Sequence, residues 1–149
     1  KTIITAPTPV LIHVNAYSDL PTEEEAKEYN LTIQTQERLT ELQERYKKGE
    51  LVQMFKEGKT NYLYSTRCGR GVDFPGAMCN SIVLTKYPYP SMHSLFWQVL
   101  KRTNNEGCMD FYFDKARREF LQRIYRALRS KFDRVNVLSP DLRVLRNLA

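Results

Sequence analysis

Apolar residues along the chain occur in short runs, separated by longer segments with helical spacing. The run PVLIHVN at 9–15 has the length of a strand and two prolines at its start, which is typical of a strand buried in a parallel sheet. Three further strands are predicted at 61–66 (NYLYST), 81–86 (SIVLTK) and 134–139 (RVNVLS). A brief, β-branched strand is also predicted at 32–35 (TIQT). The run 134–139 is predicted to be a buried last strand, ended by Pro140.

The segments between these runs have the apolar spacing of helices. The first is an acidic helix that Asp19 or Thr22 could cap and that ends at about Tyr29. The second is QERLTELQERYKK, with Thr35 as its N-cap, and the third is GELVQMFKEG, which Gly58 ends. Two more helices are predicted at about 92–103 and 110–130. Strands that alternate with helices in this way predict an α/β fold, with a mostly parallel sheet and helices on both faces. The 149 residues, 42% of them hydrophobic, predict one globular domain over 1–149.

The segment 110–130 predicts a helix with one apolar and one basic face. On a wheel of about 100° per residue, the apolar face contains Phe113, Ala116, Phe120, Ile124, Ala127 and Leu128. Gln122, Arg126 and Arg129 are four and three residues apart on the basic face, so their side chains could converge on one anion. Arg117 and Arg123 fall outside that row and are predicted to affect only packing or solubility. Charge pattern alone also fits a plainly solvated face.

The charge distribution and the composition indicate which binding partners and which cellular compartment suit the protein. Residues 1–60 contain 8 Lys and Arg against 10 Asp and Glu, whereas residues 61–149 contain 15 against 7, which favours phosphate or nucleic acid but also occurs on ordinary basic surfaces. Three cysteines without a C-x-x-C pair predict no disulfide framework and a reducing, cytoplasmic setting. No apolar run reaches the roughly 18 residues of a membrane span. The first residue, Lys1, suggests a piece of a longer protein.

Polar and glycine-rich clusters follow the predicted strands at 15–19, 66–76 and 87–91, where ligands bind in parallel sheets. The loop CGRGVDFPG at 68–76 could bring backbone amides close to a phosphate or ribose, although most such turns are only turns. The chain has no G-x-x-x-x-G-K-S/T and no D-E-A-D/H box, so it is not expected to hold nucleotide phosphates with Mg²⁺ unaided. His13 is predicted to be a hydrogen-bonded core histidine, and no metal site is expected.

Four stretches, GRGVDFPG, SIVLTKYPYP, QRIYRALRS and DRVNVLSPDLRVL, resemble in order the C-terminal motor domain of the XPD/DinG family of superfamily 2 DNA helicases. HVNAYSDL at 13–20 resembles motif IV of that family. Motif V, G-x-D-F, is matched by Gly71, Asp73 and Phe74, and the P-Y/F-P turn by residues 88–90. Motif VI, Q-x-x-G-R-x-x-R, is matched at 122–129 except that Tyr125 replaces the glycine, and Arg70 replaces a glutamate that is usual in close relatives.

The resemblance implies a RecA-like three-layer sandwich that forms half of an ATP-dependent helicase. Arg126 and Arg129 would be catalytic arginine fingers, Gln122, Gly71 and Asp73 would bind the nucleotide, and Asn15, Tyr17, Ser18, Thr66 and Arg67 would contact single-stranded DNA. ATP and Mg²⁺ would be held mainly by an N-terminal P-loop motor domain of the same protein, so no turnover is expected from these 149 residues alone. Two alternatives are a non-catalytic module that binds nucleic acid or a partner, and a small α/β enzyme with its own nucleotide pocket.

Overall fold

A four-stranded parallel sheet forms the centre of the chain in the computed structural model, which describes residues 1–46, 49–66 and 72–148. The strands are β1 (Val10–His13), β2 (Tyr62–Ser65), β3 (Ser81–Leu84) and β4 (Asn136–Leu138), in the order β2-β1-β3-β4. Val10 is in register with both Tyr62 and Ser81. The central strands β1 and β3 are buried throughout, as their apolar sequences predict.

Seven α-helices form in the described part of the chain. They are α1 (Thr2–Thr5), α2 (Glu23–Glu28), α3 (Gln36–Arg45), α4 (Glu50–Lys56), α5 (Leu95–Thr103), α6 (Asn105–Ile124) and α7 (Leu142–Arg146). Thr22 and Thr35 cap α2 and α3, because their hydroxyl oxygens accept hydrogen bonds from the amides of Glu25 and Arg38. Asp19 lies instead in a 3-10 turn, Tyr17–Asp19.

Two apolar layers enclose the sheet. Alternate side chains of β1 point to opposite faces, so Leu11 packs on the side of α4, α6 and α7, whereas Val10 and Ile12 pack on the side of α1 and α3. Phe55 and Phe120 fill the first layer, and Leu39 lies in the second. The predicted α/β class and RecA-like three-layer sandwich are therefore confirmed.

Three predictions about the elements are wrong. Residues 32–35 form no strand, because no neighbouring strand pairs with them. The strand β4 is only partly buried, because it lies at an edge of the sheet and its described partner strand is β3. It is also not the last element, since α7 follows it. The predicted helix 110–130 starts earlier, at Asn105, and stops at Ile124. On that helix Phe113 is 50% exposed, although the wheel places it on the apolar face.

Candidate functional site

Arg126 and Arg129 lie in a turn beyond the end of α6, so the predicted single helical row with Gln122 is wrong. The helix ends because other groups take the hydrogen bonds that would extend it. The Arg126 carbonyl accepts a hydrogen bond of 2.8 Å from the Phe74 amide. The Asp133 carboxylate accepts hydrogen bonds of 2.7 Å each from the amides of Arg129 and Ser130. We call residues 125–129 the motif VI turn.

Residues 72–74, here called the motif V segment, lie directly against the motif VI turn. Besides the Phe74 amide bond, Nη1 of Arg126 donates to the carbonyl oxygen of Val72. Arg129 forms an ion pair with the carboxylate of Asp73, with side chains 53% and 33% exposed. Three contacts therefore bring the carboxylate of Asp73 and two guanidiniums together at the carboxyl edge of the sheet.

The other residues predicted to bind the nucleotide are not all found beside the two arginines. Gln122 is exposed in the last turn of α6. Gly71 lies outside the described residues. Arg126 is half-buried, and its Nε has no hydrogen-bond partner among the described residues. Arg126 also lines a cavity of about 170 Å³ with Leu11, His13, Val52, Leu63, Tyr64, Ser65, Val72 and Phe74.

His13 is buried at the end of β1, and the prediction that it is hydrogen-bonded is wrong. Neither ring nitrogen has a hydrogen-bond partner in the described part of the structure. Burial, followed by the positive charges of Arg123 and Arg126, lowers the pKa of His13 from 6.5 to about 3. The backbone of Arg123 opposes that shift, but at a geometry short of a hydrogen bond. The imidazole is therefore neutral near pH 7.

Arg123 is buried and makes specific hydrogen bonds, although the helical wheel predicted that it would affect only packing or solubility. Only 5% of it is exposed, because it follows Phe120 by three residues on the face of α6 that covers the sheet. Its Nε donates to Oε1 of Glu119 at 3.1 Å, and its Nη1 donates to Oδ1 of Asn15 at 3.2 Å. The spacing from Phe120 could have indicated this position from the sequence, but the partner 108 residues away could not be found there.

Four of the residues predicted to contact DNA, Asn15, Tyr17, Ser18 and Thr66, follow the carboxyl ends of β1 and β2. Residues 15–18, here called the motif IV loop, are held by Asp19, whose carboxylate accepts from the amides of Asn15 and Ala16 and pairs with Lys86. Burial raises the pKa of Tyr17, and the Thr66 side chain at its hydroxyl opposes that rise. Ser18 is exposed, and Arg67 lies outside the described residues.

A second groove, of about 240 Å³, separates this loop from the middle of α6. It is lined by Asn15, Pro88, Tyr89, Pro90, Lys115, Glu119 and Arg123. Two larger cavities, of about 340 and 310 Å³, lie along the free edge of β2 and contain none of the predicted site residues. Volume therefore does not locate the functional site in this fold; the convergence of charged side chains at the carboxyl edge of the sheet is the better guide.

The family model for the helicase C-terminal domain matches residues 2–148. The chain belongs to the helicase C-terminal domain family. This is the domain found in XPD/DinG-type helicases, so the chain is a helicase motor domain. Comparison with curated proteins gives no match.

In this helicase domain the motif V segment, the motif VI turn and the motif IV loop all lie at one edge of the sheet. Helicase domains generally use ATP and Mg²⁺ and bind nucleic acid. Among the described residues, no three His, Cys, Asp or Glu side chains are placed to hold a metal ion. None of the helices in the described ranges is long and apolar enough to cross a membrane.

Proposed function

We propose that this domain is the second motor domain of an ATP-dependent DNA helicase, and that it supplies Arg126 and Arg129 to an ATP site shared with a P-loop domain of the same protein. The observation that carries the proposal is the joining of the motif V segment to the motif VI turn. Arg126 contacts Val72 and Phe74, and Arg129 pairs with Asp73. The two guanidiniums are thereby held on one short stretch of backbone.

The described side chains fit the phosphates of a nucleotide. The Nε–H of Arg126 has no acceptor among the described residues, and the planar guanidinium of Arg129 matches phosphate oxygens. Mg²⁺ held by the other domain supplies charge neutralisation at the phosphates. Arg126 and Arg129 would stabilise the charge that develops in phosphoryl transfer, a contribution of about 10³ to 10⁵ in rate for an arginine finger.

Asp73 would orient Arg129 before the two motor domains close. Both side chains of that ion pair are partly exposed, so the pair contributes on the order of 0–1 kcal/mol. Arg129 can therefore turn from the carboxylate to a phosphate at small cost. Gln122, exposed in the last turn of α6, would orient the nucleotide from the helix side. Gly71 would approach the nucleotide with its backbone, a role that rests on the sequence alone.

Single-stranded DNA would lie along the carboxyl ends of β1 and β2. Asn15, Tyr17, Ser18 and Thr66 offer amide and hydroxyl groups there, which suit phosphate and sugar contacts. Arg67 follows Thr66 in the sequence and would add a charge. The net charge of +6 favours binding through the DNA backbone, so we expect an affinity that falls steeply with salt.

The test is steady-state ATPase of the full-length protein with Arg126→Ala or Arg129→Ala. Each change should lower the DNA-stimulated kcat by roughly 10² or more while the KM for ATP changes much less, because a charge directed at the transition state is lost. Arg118→Ala is the matched control, since the ion-pair partner of Arg118 within the described ranges is the exposed Asp114 on α6. Normal turnover by both arginine variants, with unchanged thermal melts, would show that the turn is only a basic surface.

Tyr125 favours a second candidate function, a module that binds nucleic acid or a partner without turnover. It replaces the motif VI glycine, is 57% exposed and lies beside Arg126, where it would crowd a nucleotide. The full-length protein distinguishes the two functions. If it lacks ATPase activity and Tyr125→Gly restores it, the non-catalytic module is correct; if the unaltered protein turns over ATP, the motor function stands.

A further inference from the structure

Arg123 connects the motif IV loop to α6 through a buried guanidinium. Its neighbours on the same face of the helix, Phe120 and Ile124, pack into the apolar layer, and an apolar residue at 123 would serve packing equally well. A buried charge instead costs several kcal/mol of desolvation unless it is paired. The guanidinium reaches Glu119 on its own helix and Asn15 beyond the end of β1. The contact to Asn15 thus joins two elements that packing alone would leave independent.

The position of Asn15 in this contact follows from the alternation of side chains along β1. Leu11 and His13 face the α6 side of the sheet, and Asn15, two residues further, continues on that side to meet Arg123. His13 is neutral, so the end of β1 presents an uncharged ring to the nearby arginines. The amide of Asn15 is bound to the Asp19 carboxylate at 3.2 Å, and Asp19 also closes the turn that contains Tyr17. A displacement of the motif IV loop therefore moves Asn15.

The α6 side of the contact leads to the motif VI turn. Arg123 lies in the last turn of α6, three residues before Arg126. The Ala127 amide donates to the carbonyl oxygen of Ile124 at 3.1 Å, and the Phe74 amide donates to that of Arg126 at 2.8 Å. Arg123 is thus joined to the proposed finger Arg126 by three residues of backbone that these two hydrogen bonds hold in place. Hydrogen bonds and packed backbone form one contiguous path from Asn15 to Arg126.

We propose that Arg123 is a positioning residue that couples occupancy of the motif IV loop by DNA to the placement of the motif VI turn. This inference rests on the proposed function, since it assumes that the loop contacts DNA and that Arg126 serves the nucleotide. In this proposal Arg123 acts through Asn15 and the backbone of α6, because only 5% of the residue is exposed. DNA that displaces or orders Asn15 changes the hydrogen bond to Arg123, and Arg123 in turn biases the position of Arg126.

The experiment measures kcat of the full-length protein without DNA and with saturating oligo-dT. Arg123→Met keeps the aliphatic stem and removes the guanidinium, so packing is largely retained. The ratio of DNA-stimulated to DNA-free kcat should fall by roughly 5-fold to 100-fold, the usual range of an allosteric coupling. Arg118→Ala on the same helix is the control and should leave the ratio unchanged, because its partner Asp114 is exposed. An unchanged ratio in Arg123→Met would overturn the proposal.

A double-mutant cycle with Asn15→Ala separates coupling from general damage. If Arg123 acts through Asn15, the double variant should lower the ratio no further than the more severe single variant, whereas independent roles should multiply. Arg123→Lys supplies a second variant if Arg123→Met does not fold, since its single ammonium cannot bond both Glu119 and Asn15 as a fork. Failure of the proposed function is distinguishable, because Arg126→Ala would then retain full turnover while the ratio in the Arg123 variants still reports on coupling.

Discussion

The backbone amide of Phe74 donates a hydrogen bond of 2.8 Å to the carbonyl oxygen of Arg126. Beside this bond, the Asp73 carboxylate pairs with the Arg129 guanidinium, so the two segments are joined once through their backbones and once through their side chains. Phe74 itself is anchored in the apolar layer, where its ring meets that of Phe55 at 5.2 Å between centroids. The motif VI turn is therefore positioned by the core through Phe74.

Asp73→Asn should reduce activity far more than stability. The amide keeps the shape of the side chain but loses the charge that pairs with Arg129. In the proposed function this pair orients Arg129, and a misplaced catalytic group costs up to roughly 10² in rate, so we expect kcat of the full-length protein to fall about tenfold or more. The free energy of unfolding should change by less than about 1 kcal/mol, because the pair is partly exposed. Both are measured by steady-state ATPase and urea denaturation.

Asp114→Asn is the matched control for that change, since Asp114 forms a similar pair with Arg118 at 2.7 Å on the outer face of α6. It should alter neither kcat nor stability appreciably. Equal loss of activity in the two variants would mean that Asp73 has no orienting role.

His13 should make the fold sensitive to mild acid. Its pKa is about 3 in the folded state and 6.5 ordinarily, so below about pH 6.5 the unfolded chain takes up a proton that the folded chain refuses. Protonation of the unfolded state lowers stability as the pH falls, by about 2 kcal/mol at pH 5 relative to pH 7.5. His13→Leu should remove that part of the loss. The measurement is urea unfolding at the two pH values.

The corresponding control is His93→Leu, because His93 is exposed in the loop before α5, so the substitution changes a histidine outside the buried core. If His13→Leu and the unaltered protein lose the same free energy between pH 7.5 and pH 5, the ring of His13 is protonated in the folded state and the burial argument fails.

Asp141 should stabilise the fold through the start of α7. Its carboxylate accepts from the Tyr87 amide at 2.9 Å and pairs with Arg143 at 2.7 Å, and its side chain is 12% exposed. The hydrogen bonds from Arg143 hold the pKa of Asp141 well below its ordinary value, with burial opposing and the Tyr87 amide assisting. Asp141→Asn should cost about 1–3 kcal/mol at pH 7, the usual range for hydrogen bonds to a charged group.

The pH dependence of that cost has a definite sign. A carboxylate with a lowered pKa contributes stability above its unfolded value of about 3.9 and loses it as the pH falls further. The difference between the unaltered protein and Asp141→Asn should therefore be constant from about pH 5 to 8 and shrink below about pH 4. A difference that grows in acid would contradict the ion pair seen with Arg143. Urea denaturation across pH 3 to 8 is the measurement.

The sequence by itself determined the α/β class, the positions of the four main strands along the chain and the Thr35 cap of α3, and it narrowed the cap of α2 to Asp19 or Thr22. These features depend on neighbours in the chain. The buried central strands need only continuous apolar residues, and Thr22 and Thr35 cap their helices through amides three residues away. The motifs that indicated a helicase motor are likewise short local patterns, and the match over residues 2–148 confirms the family that they indicated.

Only the tertiary structure decided where α6 ends and what Arg123 does. Helical spacing continues to residue 129, but the Phe74 amide and the Asp133 carboxylate take the backbone hydrogen bonds beyond Ile124, and Phe74 is distant in sequence. Arg123 is buried by its place on the apolar face of α6, and Asn15, which accepts a hydrogen bond from its guanidinium, lies 108 residues earlier. A periodic pattern records which face of a helix is apolar; it does not record which distant group will occupy a backbone carbonyl or pair with a buried charge.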